Sequence, residues 1–246
     1  NHRRFIVKIF ALADIHLSLS KYFDEEDEAT FYGEKPMDVF GNRWDFHIKK
    51  IYERWQESVS EDDLVLIAGD ISWAMSMQAA RFDLAFVNRL HGRKIMIRGN
   101  HDYWWHSLKK IRAFLPENTA VIQNDAVLYP DFAVCGTRLW TLPASSGFGA
   151  NDEKIYKREL IRQELSLQAA HGRPVINMNH FMPLNEKGED NEVTDLFQRY
   201  RVFKTVYGHL HDKSHAIAFQ GEKNGTAYYL TSADYLDFKP LLLMEV

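Results

Sequence analysis

Short apolar runs alternate along the chain with stretches in which apolar residues recur every three or four positions. That succession is expected of strands alternating with helices in an α/β sandwich. The runs Phe5–Ala13, Leu64–Ala68, Lys94–Arg98, Ala120–Gln123, Phe132–Gly136, Val175–Asn179 and Thr205–Tyr207 predict strands. Three later runs, Ala216–Phe219, Ala227–Thr231 and Leu241–Val246, predict antiparallel strands near the end of the chain. Helices are predicted over Trp44–Val59, Met77–Leu90, Trp105–Leu115, Asp152–Ala170 and Val193–Tyr200. In the first of these Ile48, Ile51, Tyr52 and Trp55 share one face, the spacing of a core-facing stripe. Ile155, Tyr156, Leu160, Ile161 and Leu165 predict a buried stripe on the fourth in the same way.

Two stretches break the alternation. Residues Ser20–Phe40 mix acids with Tyr22, Phe23, Phe31 and Tyr32 and read as an insertion after the first strand. Pro183–Asn191 is polar, contains Gly188 and predicts a mobile surface loop. No repeat, linker or shift in composition divides the chain, so residues 1–246 are expected to form one domain.

Composition changes this picture little. With 246 residues, 46% of them hydrophobic and 26% charged, the chain has the balance of a globular protein and can bury a core. A net charge of −4 gives no global attraction for nucleic acid or an anionic membrane, so neither is expected as a partner. The one cysteine, Cys135, lies in the apolar run Phe132–Gly136; it excludes an intrachain disulfide and reads as a core residue. A cytoplasmic location fits that cysteine usage. Arg3-Arg4 followed by Phe5–Ala13 resembles an export signal superficially, but Lys8 interrupts the run and cleavage would remove the strand that presents Asp14. The chain opens on Asn1 rather than methionine, which leaves open whether its first residues are native.

The chemistry lies at the ends of the predicted strands. Asp14-Ile-His16 follows the first, Gly69-Asp70 the second, and Gly99-Asn100-His101-Asp102 the third. His180 follows Val175–Asn179, and Gly208-His209-Leu-His211 follows Thr205–Tyr207. Carboxyl ends of strands line the crevice where α/β sheets bind ligands, so these side chains can converge. Taken singly, each has a plainer reading: Asp70 as a helix cap, Asn100 as a turn former, His180 and His209 as hydrogen-bonded core histidines. Their joint occurrence after five apolar runs favours a site. Imidazole, carboxylate and amide oxygen without thiolate suit manganese, iron, zinc, cobalt or nickel. The donors exceed what one ion needs; two ions about 3.5–4 Å apart, bridged by a carboxylate, would use them all.

These motifs resemble those of the calcineurin-like metallophosphoesterases, whose pattern D-x-H, GD, GNH[DE], a lone His and GHxH is matched by Asp14–His16, Gly69–Asp70, Gly99–Asp102, His180 and Gly208–His211. The resemblance implies a four-layer α/β/β/α sandwich and hydrolysis of phosphate esters at a dinuclear centre, with manganese, iron or zinc as the expected metals. It implies Asp14, His16, Asp70 and His211 as ligands of a first ion. Asp70, Asn100, His180 and His209 would hold a second, with Asp70 bridging. A hydroxide between the ions would attack phosphorus, His101 would assist the leaving oxygen, and Asp102 would orient His101. Because ligand histidines must be neutral, metal loss is expected as pH falls. The chain departs from some relatives in lacking a further acid after Gly69-Asp70, where it has Ile-Ser-Trp73.

Other residues have two readings. Arg138 is a candidate for gripping a substrate phosphate, with a solvent-facing arginine as the alternative. Trp73, Tyr103, Trp104, Trp105 and Trp140 read as core packing, with a stacking wall as the alternative. His47 and His106 read as structural, and His215 lies outside the motifs. The expected substrate is a small-molecule phosphate ester, monoester or diester. A non-catalytic interaction platform on the same fold and a nuclease are the competing readings; the complete motif set disfavours the first, and the absence of a basic, aromatic-interleaved stretch the second.

Overall fold

The computed structural model describes residues 7–35 and 37–246, so the first two residues of the expected opening strand, Phe5 and Ile6, lie outside it. Eleven strands and five α-helices follow one another as β1 (Lys8–Leu12), α1 (His47–Ser58), β2 (Leu64–Ile67), α2 (Met77–Arg89), β3 (Arg93–Met96), α3 (Leu108–Phe114), β4 (Thr119–Val121), β5 (Ala126–Leu128), β6 (Ala133–Thr137), α4 (Ala150–Gln168), β7 (Val175–Asn179), α5 (Glu192–Arg199), β8 (Val202–Tyr207), β9 (Gly221–Lys223), β10 (Thr226–Leu230) and β11 (Leu241–Glu245) among the described residues. They build two sheets, ordered β11-β1-β2-β3-β4 and β5-β6-β7-β8-β10-β9. Within each sheet the central strands run parallel, and antiparallel strands close edges: β11 beside β1, β5 beside β6, β9 beside β10.

Successive side chains of a strand point to opposite faces, and the apolar residues here divide accordingly. Ile9 and Ala11 of β1, Leu64 and Leu66 of β2, Ile95 of β3, Val134 of β6, Ile176 and Met178 of β7 and Val206 of β8 pack between the sheets. Their alternates Phe10, Leu12, Val65, Ile67 and Met96 face outward into a core shared with Ile48, Ile51 and Trp55 of α1 and Phe86 and Val87 of α2. On the other side Ala133, Cys135, Val175 and Tyr207 meet Tyr156 of α4 and Phe197 of α5. The result is the expected four-layer α/β/β/α sandwich. Strands buried on both faces read as continuous apolar runs, which is why most were legible.

Three expectations fail. Ala216–Phe219 is not a strand: Asp212–Ile217 turns as a 3-10 helix, begun where the Ser214 hydroxyl accepts the His211 N–H at 2.8 Å. The strand at Ala227–Thr231 pairs parallel with β8, not antiparallel, and only its β9 edge is antiparallel. On α4 the expected stripe holds at Tyr156 but fails toward the C-terminal end. Ile161 is 62% and Leu165 43% exposed, while Glu159, Gln163 and Ser166 are buried. The segment after β1 packs against α1 and α2, with Phe23 4.9 Å from both the Tyr52 and Phe86 rings. In the loop at 183–191 the Asn185 side chain accepts the N–H groups of Lys187 and Glu189. No helix among the described residues is long and apolar enough to cross a membrane.

Candidate metal centre

Parallel pairing brings the carboxyl ends of β1, β2 and β3 to one rim and those of β7, β8 and β10 to the facing rim. Backbone bonds stitch the two rims together: Ala13 N–H donates to Thr231 O at 2.7 Å and Ala233 N–H to Ala13 O at 2.9 Å. Asp14, His16, Asp70 and His209 all adopt positive φ, at 57°, 45°, 52° and 70°. Each such residue costs about 1–2 kcal/mol, and strain of this kind persists where surrounding structure enforces it, commonly at functional sites. Two glycines permit the approach of the strand-end loops. A Cβ on Gly99 would fall 2.0 Å from Asp70 Oδ1, and one on Gly208 2.3 Å from Asp14 Oδ2.

The predicted ligands converge in two overlapping groups. His211 Nε2 lies 3.6 Å from Asp14 Oδ1 and 3.3 Å from His16 Nε2. His16 Nε2 is in turn 3.9 Å from Asp70 Oδ2. In the second group His180 Nε2 stands 3.3 Å from Asp70 Oδ2 and 2.7 Å from Asn100 Oδ1, which is 3.0 Å from His209 Nδ1. Asp70 thus touches both groups. The ligand atoms of Asp14, His16 and His211 all lie within 4.8 Å of one another, as do those of Asp14, Asp70 and His180.

Electrostatics among the side chains favours a cation. Burial would lower the imidazole of His180, but Asp70 and Asp14 outweigh it and push it up to about 9. Burial is likewise overcome at His211, where Asp14 and Asp234 push it up to about 10. Asp14 and Asp70, which burial would raise, are instead held below the ordinary carboxylate range by these histidines. His16 and His209, dominated by burial, are pushed down to about 3 and about 4 and remain neutral donors of lone pairs. His16 Nε2 and His211 Nε2 face each other with carboxylate oxygens around them, an arrangement of acceptors that a divalent cation satisfies.

Ring orientations agree with this reading. His180 Nδ1 bonds Ala68 O at 3.0 Å, leaving Nε2 toward Asn100 and Asp70. His211 Nδ1 bonds Asp234 Oδ1 at 2.9 Å, leaving Nε2 toward Asp14. Such outer partners fix which imidazole nitrogen is free to ligate. Asp234, absent from the motifs of the sequence, lies four residues past the end of β10, and the parallel pairing of β10 with β8 brings it to this rim. It also accepts the Asp212 N–H at 3.1 Å, and Arg43 donates to its carbonyl at 2.7 Å. His215 Nε2 lies 3.2 Å from Asp234 Oδ2.

His101 stands at the rim of the two groups. Its N–H donates to Asp70 Oδ1 at 2.8 Å, and its ring centroid is 4.4 Å from that of Trp73 and 6.0 Å from that of His16. Burial, the largest influence, holds its imidazole below the ordinary value. The expected contact with Asp102 is not made. Asp102 accepts instead from the N–H groups of Ile71, Ser72 and Gly99 and from the Trp104 indole, at 2.8–3.0 Å. Three of these donors share Oδ1 and Gly99 takes Oδ2, so the carboxylate fastens the motif loops of β2 and β3 to each other. Arg138 points toward Glu159 at 3.3 Å, and its carbonyl accepts the His180 and Phe181 N–H groups. Of the aromatic residues, Trp104 and Trp105 are core, whereas Trp73 stacks on His16 at 4.9 Å.

A family model for calcineurin-like phosphoesterases matches residues 7–213. The chain therefore belongs to the calcineurin-like phosphoesterase family and is a metal-dependent phosphoesterase. Two solved structures align over 96% of this chain and 95% of their own. The phosphopantetheinyl hydrolase PptH of Mycobacterium tuberculosis has a TM-score of 0.57 at 13% identity. A protein of unknown function, AQ665, from Aquifex aeolicus has a TM-score of 0.46 at 14% identity. The first likeness is one of fold. No curated protein matches the chain.

Proposed function

We propose that the chain hydrolyses small phosphate esters with two metal ions, one held by Asp14, His16 and His211, the other by Asn100, His180 and His209, with Asp70 shared. The observation that supports this reading is the convergence of seven donor side chains, from five strand-end loops, into two adjoining groups, with Asp70 Oδ2 3.9 Å from His16 Nε2 and 3.3 Å from His180 Nε2. Ions held by these residues would supply Lewis acidity toward a water and toward phosphoryl oxygens. Manganese, iron and zinc all suit these donors.

The chain's own residues do the rest. Four side chains in left-handed backbone conformations are held rigidly by the stitched rims, so donor positions are set before substrate arrives. His101, neutral near pH 7, has one N–H to give to the leaving oxygen. Trp73 backs both His101 and His16 and continues into a groove of about 420 Å³ lined by Lys35, Phe82 and Arg81. The organic part of a substrate fits along this groove, with the scissile phosphate at the ligand groups.

The test is turnover of p-nitrophenyl phosphate and bis-p-nitrophenyl phosphate by chelator-stripped protein reconstituted with manganese, for wild type and His101→Ala. Metal-dependent cleavage, reduced about 100-fold or more in the variant with metal content unchanged, is expected. The preferred compound separates monoester from diester chemistry. No cleavage of either by metal-loaded protein would overturn the reading.

A further inference from the structure

A cavity of about 90 Å³ is lined by Arg98, Arg138 and Arg162, with Thr137, Glu159 and Gln123 among the other residues of its wall. It is built from direct continuations of the ligand loops. Arg98 comes two residues before Asn100, and the Arg138 carbonyl holds the backbone of His180 at 3.1 Å.

The charges in this cavity do not balance. Glu159, whose side chain is 1% exposed, accepts from Arg162 at 2.8 Å and from the Thr137 hydroxyl at 2.9 Å, and pairs with Arg138 at 3.3 Å. That single carboxylate pairs with Arg138, Arg162 and, at 3.7 Å, Arg158, while Arg98 lines the same cavity without a carboxylate of its own. Arg98 makes no hydrogen bond or ion pair among the described residues, and its Nε is buried without a partner. Arg138 is largely buried, stacked 4.6 Å over the Trp140 ring, and is held below the ordinary arginine range by burial and by Arg98, Arg158 and Arg162. A structural ion pair needs one guanidinium per carboxylate. Gathering two more around a recess, one with a buried, unsatisfied N–H, is unfavourable unless an anion enters. Guanidinium forks suit planar or tetrahedral oxyanions, and the cavity admits a group of only a few heavy atoms.

We infer that Arg98, Arg138 and Arg162 form a subsite for a second anionic group, a phosphate, sulfate or carboxylate, carried by the substrate apart from its scissile ester. Glu159 holds the guanidiniums of Arg138 and Arg162 in place from beneath. The inference rests on the phosphoesterase reading of the neighbouring ligand groups and narrows its substrates to esters with at least two anionic centres.

The test uses manganese-loaded protein and a series of α,ω-alkanediol bisphosphates, each compared with the alkyl monophosphate of equal length. Wild type is expected to show a kcat/KM preference of about 10-fold or more for the bisphosphate at one chain length, from charge-assisted hydrogen bonds to the second phosphate. Arg98→Gln, which removes no hydrogen bond of the folded chain, and Arg162→Gln should abolish that preference. Arg162→Lys should retain part of it. Absence of a preference at every length, or its survival in both glutamine variants, would overturn the subsite. Calorimetric titration with the same compounds provides a readout independent of turnover. If nothing is hydrolysed but the bisphosphate still binds more tightly than the monophosphate, and only with Arg98 and Arg162 present, the hydrolase reading fails and the subsite stands. Equal affinities for wild type and variants would remove it.

Discussion

The two helical layers differ in how much polar surface they bury. Beneath α1 and α2 the contact with the first sheet is apolar, made by Ile48, Ile51, Trp55, Phe86 and Val87 against Phe10, Leu12, Val65 and Ile67. Beneath α4 the second sheet presents Thr137, Asn177, Asn179 and Thr205, and the helix answers with Glu159, Gln163 and Ser166. Gln163 donates to Asn177 at 2.7 Å and accepts from Asn179 at 2.8 Å, while Asn177 bonds Thr205 at 3.2 Å. Such a network is tolerated only when nearly every member is satisfied, and it then specifies position more sharply than apolar contact does. This polar layer lies directly under Arg138 and His180, where side-chain placement matters for chemistry. The apolar layer supports loops whose ligands are positioned by constrained backbone at Asp14, His16 and Asp70.

Substitutions can separate these two modes of support. Trp55→Ala, which opens a cavity in the apolar layer, should cost about 3–5 kcal/mol in denaturant unfolding. Metal affinity of the molecules that remain folded should change little; a large drop would show that the first-sheet ligands depend on this packing. Gln163→Leu leaves Asn177 and Asn179 each short of a partner and should cost about 1–3 kcal/mol. Unlike Trp55→Ala, it should also weaken metal binding measured by titration, because Asn179 precedes His180. Stability lost with metal affinity intact would argue that the polar layer is only structural. Asp234→Asn should lower metal affinity about 10–100-fold, through loss of the carboxylate that orients His211, with a smaller effect on the melting of stripped protein. Ile161→Lys, on the exposed face of α4, should change stability by less than about 0.5 kcal/mol. A cost as large as that of Gln163→Leu would restore the stripe read from hydrophobicity.

The error on α4 has a definite cause. Ile155, Tyr156 and Leu160 begin a helical stripe, but a residue's burial depends on what it faces, and the second sheet faces α4 with asparagine and threonine. Periodicity counts apolar residues and cannot register a polar face satisfied by a polar partner. The edge strands β5 and β9 escaped notice because each has only three residues, too few to show alternation.

By itself the sequence determined the layered α/β architecture, the strands whose ends carry the candidate ligands, and which residue types stand there. Strands buried on both faces must be continuous apolar runs, and polar residues placed directly after them have nowhere to go but the shared rim. Tertiary structure decided what depends on distance across the chain. The parallel pairing of β10 brings Asp234 to His211, which lies 23 residues away in sequence. Asp102 is occupied by four donors from neighbouring segments rather than by His101. Arg98, Arg138 and Arg162 line one cavity although the first follows β3, the second follows β6 and the third sits in α4. Local sequence encodes which face a residue prefers, whereas strand direction and side-chain partnership emerge only when distant segments compete for the same hydrogen bonds and charges.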